Sequence, residues 1–262
     1  MSEGRILIER TGGIGRITIS HERRRNALTL NMWGDVARAC AEFQDDRDIR
    51  VVMLRGAGSI AFSAGADISE FPVVRATPQA TQAYESVVLA AHEALSGLSK
   101  PTIAVIDGLC FGGGMGLAMA CDIRLASDRS TFCIPAARLG IGYGLDDVLR
   151  LAERIGVPAT ADLLLSGAPL GAAEALAGGI VQRLWASDEF DARAQAYVAS
   201  MAGNAPLTMA AVKQALATLA IRPSREDAER IARLVAACDA SSDFLEGQAA
   251  FREKRPPRFR GT

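Results

Sequence analysis

A chain of 262 residues, 49% of them apolar, can bury a sizeable core as one large domain or as one domain with a helical appendage. With 29 Lys plus Arg against 30 Asp plus Glu, and 5% aromatic residues, it has neither the positive field nor the stacking platform that nucleic-acid binding uses. A small-molecule substrate is therefore the expectation.

The five cysteines, Cys40, Cys110, Cys121, Cys133 and Cys238, have no CxxC spacing, and neither His21 nor His92 lies near one in sequence. That pattern argues against a zinc site and a disulfide framework, and for reduced, mostly buried thiols. The opening MSEGRILIER has no apolar signal core, and no run approaches the roughly 20 apolar residues of a membrane span. A cytoplasmic protein with no membrane partner is expected.

In chain order, residues 5–9 and 14–19 read as β-strands joined by a hairpin turn at Thr11-Gly12-Gly13. A helical stretch from Leu30 precedes the strand 51–54, after which residues 56–70 read as a glycine-punctuated loop. A helix over 80–98, the strand 102–106 and the cluster Gly112-Gly113-Gly114 follow. Such alternation implies an α/β architecture. Beyond about residue 145 the pattern turns helical, with Ala-rich stretches at 146–156, 158–165 and 171–177, a short strand at 180–185, and helices over most of 188–253. Arg255-Pro256-Pro257 resembles a linker, and no internal repeat is present.

Two loops are the most informative. Phe62-Ser63-Ala64-Gly65-Ala66-Asp67-Ile68 follows a strand with small residues that let backbone approach a ligand. Gly108 to Gly116 follows another strand and opens a helix. Together they suit two backbone N–H groups aimed at one developing oxyanion, with the helix dipole favouring negative charge there. Tight turns and close helix packing would use the same glycines. A dinucleotide fingerprint fails on spacing, because G-x-G-x-x-G begun at Gly112 ends on Leu117 and begun at Gly114 ends on Met119.

Over nearly its whole length the chain resembles the crotonase (enoyl-CoA hydratase/isomerase) superfamily. Arg23-Arg24-Arg25-Asn26-Ala27-Leu28 is similar to the family's CoA-binding N-A-L segment, Phe62 to Ile68 to its F-x-A-G-A-D-I loop, and Gly108 to Asp122 to its G-x-x-x-G-G-G helix start. Asp243 to Gly247 and Ala250 to Arg255 are similar to its D-x-x-E-G and A-F-x-E-K-R ending.

The resemblance implies a crotonase-like α/β spiral of ββα units over residues 1–200. It implies a helical trimerisation region over 201–262, and a homotrimer or dimer of trimers. The substrate would be an acyl-CoA thioester, with no cofactor beyond the CoA it carries. Ala66 and Gly113 would supply the oxyanion-hole N–H groups. Backbone around Arg24, Ala27 and Ala64 to Ile68, including Asp67, would hold the CoA, with Arg23, Arg24 and Arg25 suited to its phosphates. Phe251 and Lys254 would reach the adenosine end from a neighbouring subunit. The basic triplet and the cluster Arg252 to Arg260 also fit a solvated face or tail.

Hydratases of this family carry two glutamates, and here the matching positions hold Gly116 and Ala136. Neither exchanges a proton, although general acid–base catalysis typically contributes 10²–10⁴-fold. Three residues are candidate replacements. Tyr143 stands in an L-G-x-x-Y-x-L stretch similar to that of methylmalonyl-CoA decarboxylases, which carry histidine where this chain has Ala66 and lack Arg138. It would orient a substrate carboxylate or donate a proton, or else pack in a wall with its hydroxyl satisfied. Asp146 and Asp147 would serve as a base near the acyl group or as N-caps of the next helix. Asp67 and Asp122 read as loop and cap residues, and His92 as structural.

Three functions follow: a hydratase/isomerase with an unusual acid or base, a decarboxylase of short 2-carboxyacyl-CoA, or a noncatalytic acyl-CoA-binding scaffold.

Overall fold

The structure is a computed structural model that describes residues 4–204, 206–217, 229, 232–233, 236 and 239–255. Cys238, Pro256, Pro257, Arg258 and Arg260 lie outside the described residues, as does much of the expected 201–262 region. The chain forms two compact units: Met1–Phe132 with Leu170–Leu219, and Cys133–Pro169 with Ala220–Thr262.

The first unit opens with the antiparallel pair β1 (Arg5–Thr11) and β2 (Ile14–Ser20), in register from Arg5↔Ser20 to Thr11↔Ile14. Its two-residue turn needs positive φ at both positions, which Gly12 (φ 58) and Gly13 (φ 80) supply. α1 (Leu30–Asp45) starts where the Thr29 side chain accepts a hydrogen bond from Met32 N. Met32, Trp33, Val36, Ala39, Cys40 and Phe43 recur at helical spacing and form its buried face.

β3 (Val51–Gly56), β4 (Ala61–Ser63), α2 (Phe71–Val74) and α3 (Pro78–Gly97) follow, then β5 (Thr102–Ile106), β6 (Leu109–Phe111), α4 (Gly113–Ala120), β7 (Ile123–Ser127) and β8 (Thr131–Cys133). α5 (Ala136–Leu139) and α6 (Leu145–Ser166) lead to β9 (Leu170–Gly171), α7 (Ala172–Ala177), β10 (Arg183–Trp185), α8 (Phe190–Ala202), α9 (Pro206–Ala217) and, after residues not described, α10 (Ser242–Arg252).

One sheet runs β1-β2-β3-β5-β7-β10, parallel from β2 onward, and a smaller one runs β4-β6-β8-β9. From β3 to β8, successive strands alternate between the two sheets. β3 and β5 read as continuous apolar runs because both faces are covered. On one face Val51, Met53, Ile103, Val105 and Leu125 pack with Phe190, Ala194 and Val198 of α8. α9 is tied to the sheet by Lys213, which pairs with Asp122 at 2.8 Å.

The residues expected to form the 56–70 loop include β4 and a 3₁₀ turn at Ile68–Glu70. β7 escapes a hydropathy reading because Arg124 interrupts it. That side chain is buried, its guanidinium donating to the carbonyls of Ile180, Ala118 and Cys121. The strand expected at 180–185 is confined to Arg183–Trp185. Among the described residues no helix is long and apolar enough to cross a membrane.

In the second unit, α6 is broken at Gly156 (φ 76, ψ 160) ahead of Pro158, matching the two stretches expected there. Ser241 caps α10, its hydroxyl accepting from Phe244 N at 3.1 Å. Arg255 donates to both carboxylate oxygens of Glu246, at 2.5 and 2.8 Å, so the two halves of the C-terminal signature hold each other. Gly247 lies against α5, where an added Cβ would collide with Leu139 O. Gly247→Ala should cost about 1–3 kcal/mol by overpacking. The check is hydrogen exchange, which should accelerate in 242–252 and stay unchanged in β3 and β5.

Candidate active site

β4 and β6 pair in parallel, Ala61 with Leu109 and Ser63 with Cys110, so the loops that follow them emerge side by side. Each then takes a conformation suited to glycine, with φ of 96° at Gly65 and 50° at Gly112. A Cβ on Gly65 would stand 2.9 Å from Phe111 O and 3.0 Å from Gly113 N, so the two backbones are in direct contact.

Gly113 is the first residue of α4, where an N–H has no partner within the helix. Ala66 forms an isolated bridge with Leu28, whose bonds run from Leu28 N to Gly65 O and from Asp67 N to Leu28 O and pass over Ala66 N. Among the described residues neither Ala66 N nor Gly113 N has a backbone acceptor outside the regular elements. A Cβ at Gly113 would stand 3.6 Å from Ala66 N, so these two donors are neighbours.

The basic segment wraps the first loop. Arg25 and Asn26 have φ of 52° and 57°, an uncommon conformation in which Asn is enriched. Asn26 is buried, donating from Nδ2 to Ala57 O (2.9 Å) and Ala61 O (2.7 Å) and accepting from His21 N (2.9 Å). Ala64 N donates to Arg25 O at 2.9 Å. Arg24 reaches Asp67 at 3.3 Å, and Asp67 also accepts from Ser69 N and Oγ, opening the turn at Ile68 as its cap. Arg23, Arg24, Arg25, Ala27, Ala64, Ala66, Asp67 and Ile68 therefore form one connected stretch of surface and backbone. Phe251 and Lys254 belong to the second unit, where both are exposed.

Gly116 lies in the middle of α4 and Ala136 is the first residue of α5. Tyr143, Asp146 and Asp147 lie in the second unit with Ala136, whereas Ala66, Gly113 and Gly116 lie in the first. Burial, reinforced by the Asp147 carboxylate, pushes the Tyr143 hydroxyl above its ordinary value.

The N-cap of α6 is Gly144, which corrects the N-cap reading of the two aspartates. They fall in the first turn, where carboxylates favour the dipole. Asp146 is exposed, and Asp147 pairs with Arg150 at 3.2 Å. Asp122 is likewise no helix cap. It accepts from Thr102 N and Oγ1 and clamps the start of β5.

Cys40, Cys110, Cys121 and Cys133 are free and buried, and burial pushes the Cys40 and Cys121 thiols up to about 12, which makes them poor nucleophiles.

Two side chains beside the loops were not singled out by the sequence. A Cβ on Gly113 would stand 2.8 Å from the Trp33 ring, and one on Gly116 would stand 2.9 Å from His92 Nε2. The Trp33 and His92 rings meet edge to face with centroids 5.6 Å apart. Neither is near the loops in sequence, so only the packing of α1 and α3 with α4 reveals them.

Comparison with known proteins shows the family and the fold. The model of the enoyl-CoA hydratase/isomerase family matches residues 9–262. A probable enoyl-CoA hydratase of Mycobacterium tuberculosis is 35% identical over 256 residues, 97% of each chain. The crystal structure of an enoyl-CoA hydratase/carnithine racemase from Magnetospirillum magneticum superposes with a TM-score of 0.81 at 35% identity, covering 100% of this chain and 97% of that one. Methylmalonyl-CoA decarboxylase in complex with 2-nitronate-propionyl-CoA superposes with a TM-score of 0.89 at 28% identity, covering 98% and 99%. The protein has the crotonase fold and belongs to the enoyl-CoA hydratase/isomerase family of acyl-CoA enzymes.

Proposed function

We propose that this enzyme adds water to 2-enoyl-CoA thioesters, or removes it from 3-hydroxyacyl-CoA, through a thioester enolate whose oxygen rests on the N–H groups of Ala66 and Gly113. The observation that carries the reading is the adjacency of these two donors, each left over by the bonding of its own loop. Preorganised donors favour the enolate over the neutral carbonyl, and losing one typically costs about 3–4 kcal/mol of barrier. The reading needs no cofactor beyond the CoA of the substrate. It places the CoA along Arg23 to Leu28 and Ala64 to Ile68, with Phe251 and Lys254 of a neighbouring subunit in a homotrimer or dimer of trimers completing the adenosine end.

The test is a panel of 2-enoyl-CoA and 2-carboxyacyl-CoA thioesters, followed by loss of enoyl absorbance and by release of CO₂. Water addition supports the reading, and binding without either reaction leaves a scaffold. Decarboxylation is the second reading. It is supported by the likeness to methylmalonyl-CoA decarboxylase, and CO₂ release without hydration would establish it. Arg24→Ala should raise KM about 10-fold with kcat nearly unchanged, because a phosphate contact contributes equally to ground and transition states. Steady-state kinetics on the best substrate of the panel checks this.

A further inference from the structure

The missing glutamate at Gly116 leaves the question of which group exchanges the proton in the first unit. Gly116 needs no special backbone, since it is not among the glycines with positive φ, and glycine inside a helix is less favourable than alanine. Space explains it. A Cβ there would stand 2.9 Å from His92 Nε2 and 3.0 Å from His92 Cε1, so the imidazole from α3 occupies the volume where a side chain at 116 would begin.

His92 is 2% exposed. Gly113 and Gly116 are three residues apart on one face of α4, about 4.5 Å along its axis. The same Trp33 ring that abuts Gly113 meets His92 edge-on at 5.6 Å. The imidazole and the N–H pair therefore border one patch of α4.

We infer that His92 is the acid–base residue of this site, taking over from α3 the role of the side chain that Gly116 lacks. The inference rests on the proposed enolate chemistry. In the hydration direction the neutral imidazole accepts a proton from water as the water oxygen bonds to C3. The C2–C3 π electrons move to the thioester oxygen, held by Ala66 and Gly113. The enolate then collapses as C2 takes the proton back from the imidazolium. The sum is addition of H and OH, with nothing oxidised or reduced. α4 has no ionisable side chain, and the buried face of α1 offers only Cys40, whose thiol is pushed up to about 12. Tyr84 on α3 itself, also pushed up to about 12 by burial, keeps its proton.

The test measures kcat, KM and their pH dependence for the active thioester in the full chain, His92→Gln, and His92→Ala combined with Gly116→Glu. Circular dichroism and acyl-CoA binding verify that each variant is folded. The expected result is a fall of about 10²–10⁴-fold in kcat for His92→Gln, with KM within threefold. The pH dependence of kcat should change along with the rate. The double variant should recover at least 10-fold with its pH dependence moved to the carboxylate range. If His92→Gln stays within threefold of the unmodified enzyme with the same pH profile, the role of His92 is overturned while the enolate reading stands. If the unmodified enzyme turns over no thioester, both fall.

Discussion

Replacing Gly113 by proline should lower kcat by about 10²–10³-fold relative to Gly113→Ala, with little change in acyl-CoA affinity. The comparison with alanine is what isolates the N–H. Any side chain at 113 presses on Trp33, since a Cβ would stand 2.8 Å from its ring, and both variants carry that Cβ. Only proline also removes the donor. The helix tolerates the change because Gly113 is the first residue of α4, where a proline ring has no preceding turn to collide with and its fixed φ suits a helix. Single-turnover kinetics with the best thioester, alongside calorimetric binding of CoA thioesters, separates the chemical step from affinity.

The loops themselves were legible in the sequence because their chemistry is local. Gly65, Gly112 and the small residues between Ala64 and Ala66 must lie where backbone approaches backbone, and contacts of 2.9 Å to Phe111 O and 3.0 Å to Gly113 N show why. The hairpin at Gly12-Gly13 and the helix from Leu30 were legible for the same reason. What escaped is what distant segments bring together. β6 and β8 are three-residue strands, too short for a period to show, and β7 carries a buried arginine. His92 read as structural because nothing near it in sequence marks a site, and its neighbours Trp33 and Gly116 are 59 positions before and 24 positions after it. Asp146 and Asp147 read as a base or as caps, the latter because carboxylates precede an apolar run, yet Gly144 takes the cap and leaves them in the first turn.

The largest expected effect on stability is at Gly108. Its φ of 77° lies in the left-handed region, and an added Cβ would collide with Ile60 O and C and stand 3.0 Å from Ala61 N. Its own carbonyl accepts from Thr131 N at 3.2 Å, and Leu109 N donates to Ile60 O at 3.1 Å, so the turn cannot swing away without losing both bonds. Gly108→Ala should therefore cost about 2–5 kcal/mol, left-handed strain adding to overpacking. A lower midpoint of urea denaturation at unchanged slope is the expected signature. Because the turn starts β6, and β6 delivers Gly112 and Gly113, surviving activity should fall as well.

Enolate stabilisation at Ala66 and Gly113 is tested most directly by comparing the affinities of 2-nitronate-propionyl-CoA, whose nitronate carries the planar negative charge of an enolate, and propionyl-CoA, which does not. The nitronate should bind at least about 100-fold more tightly to the unmodified protein, as transition-state analogues do, and most of that advantage should disappear in Gly113→Pro. Equal affinity for the two thioesters, or an advantage that Gly113→Pro leaves intact, would contradict the account.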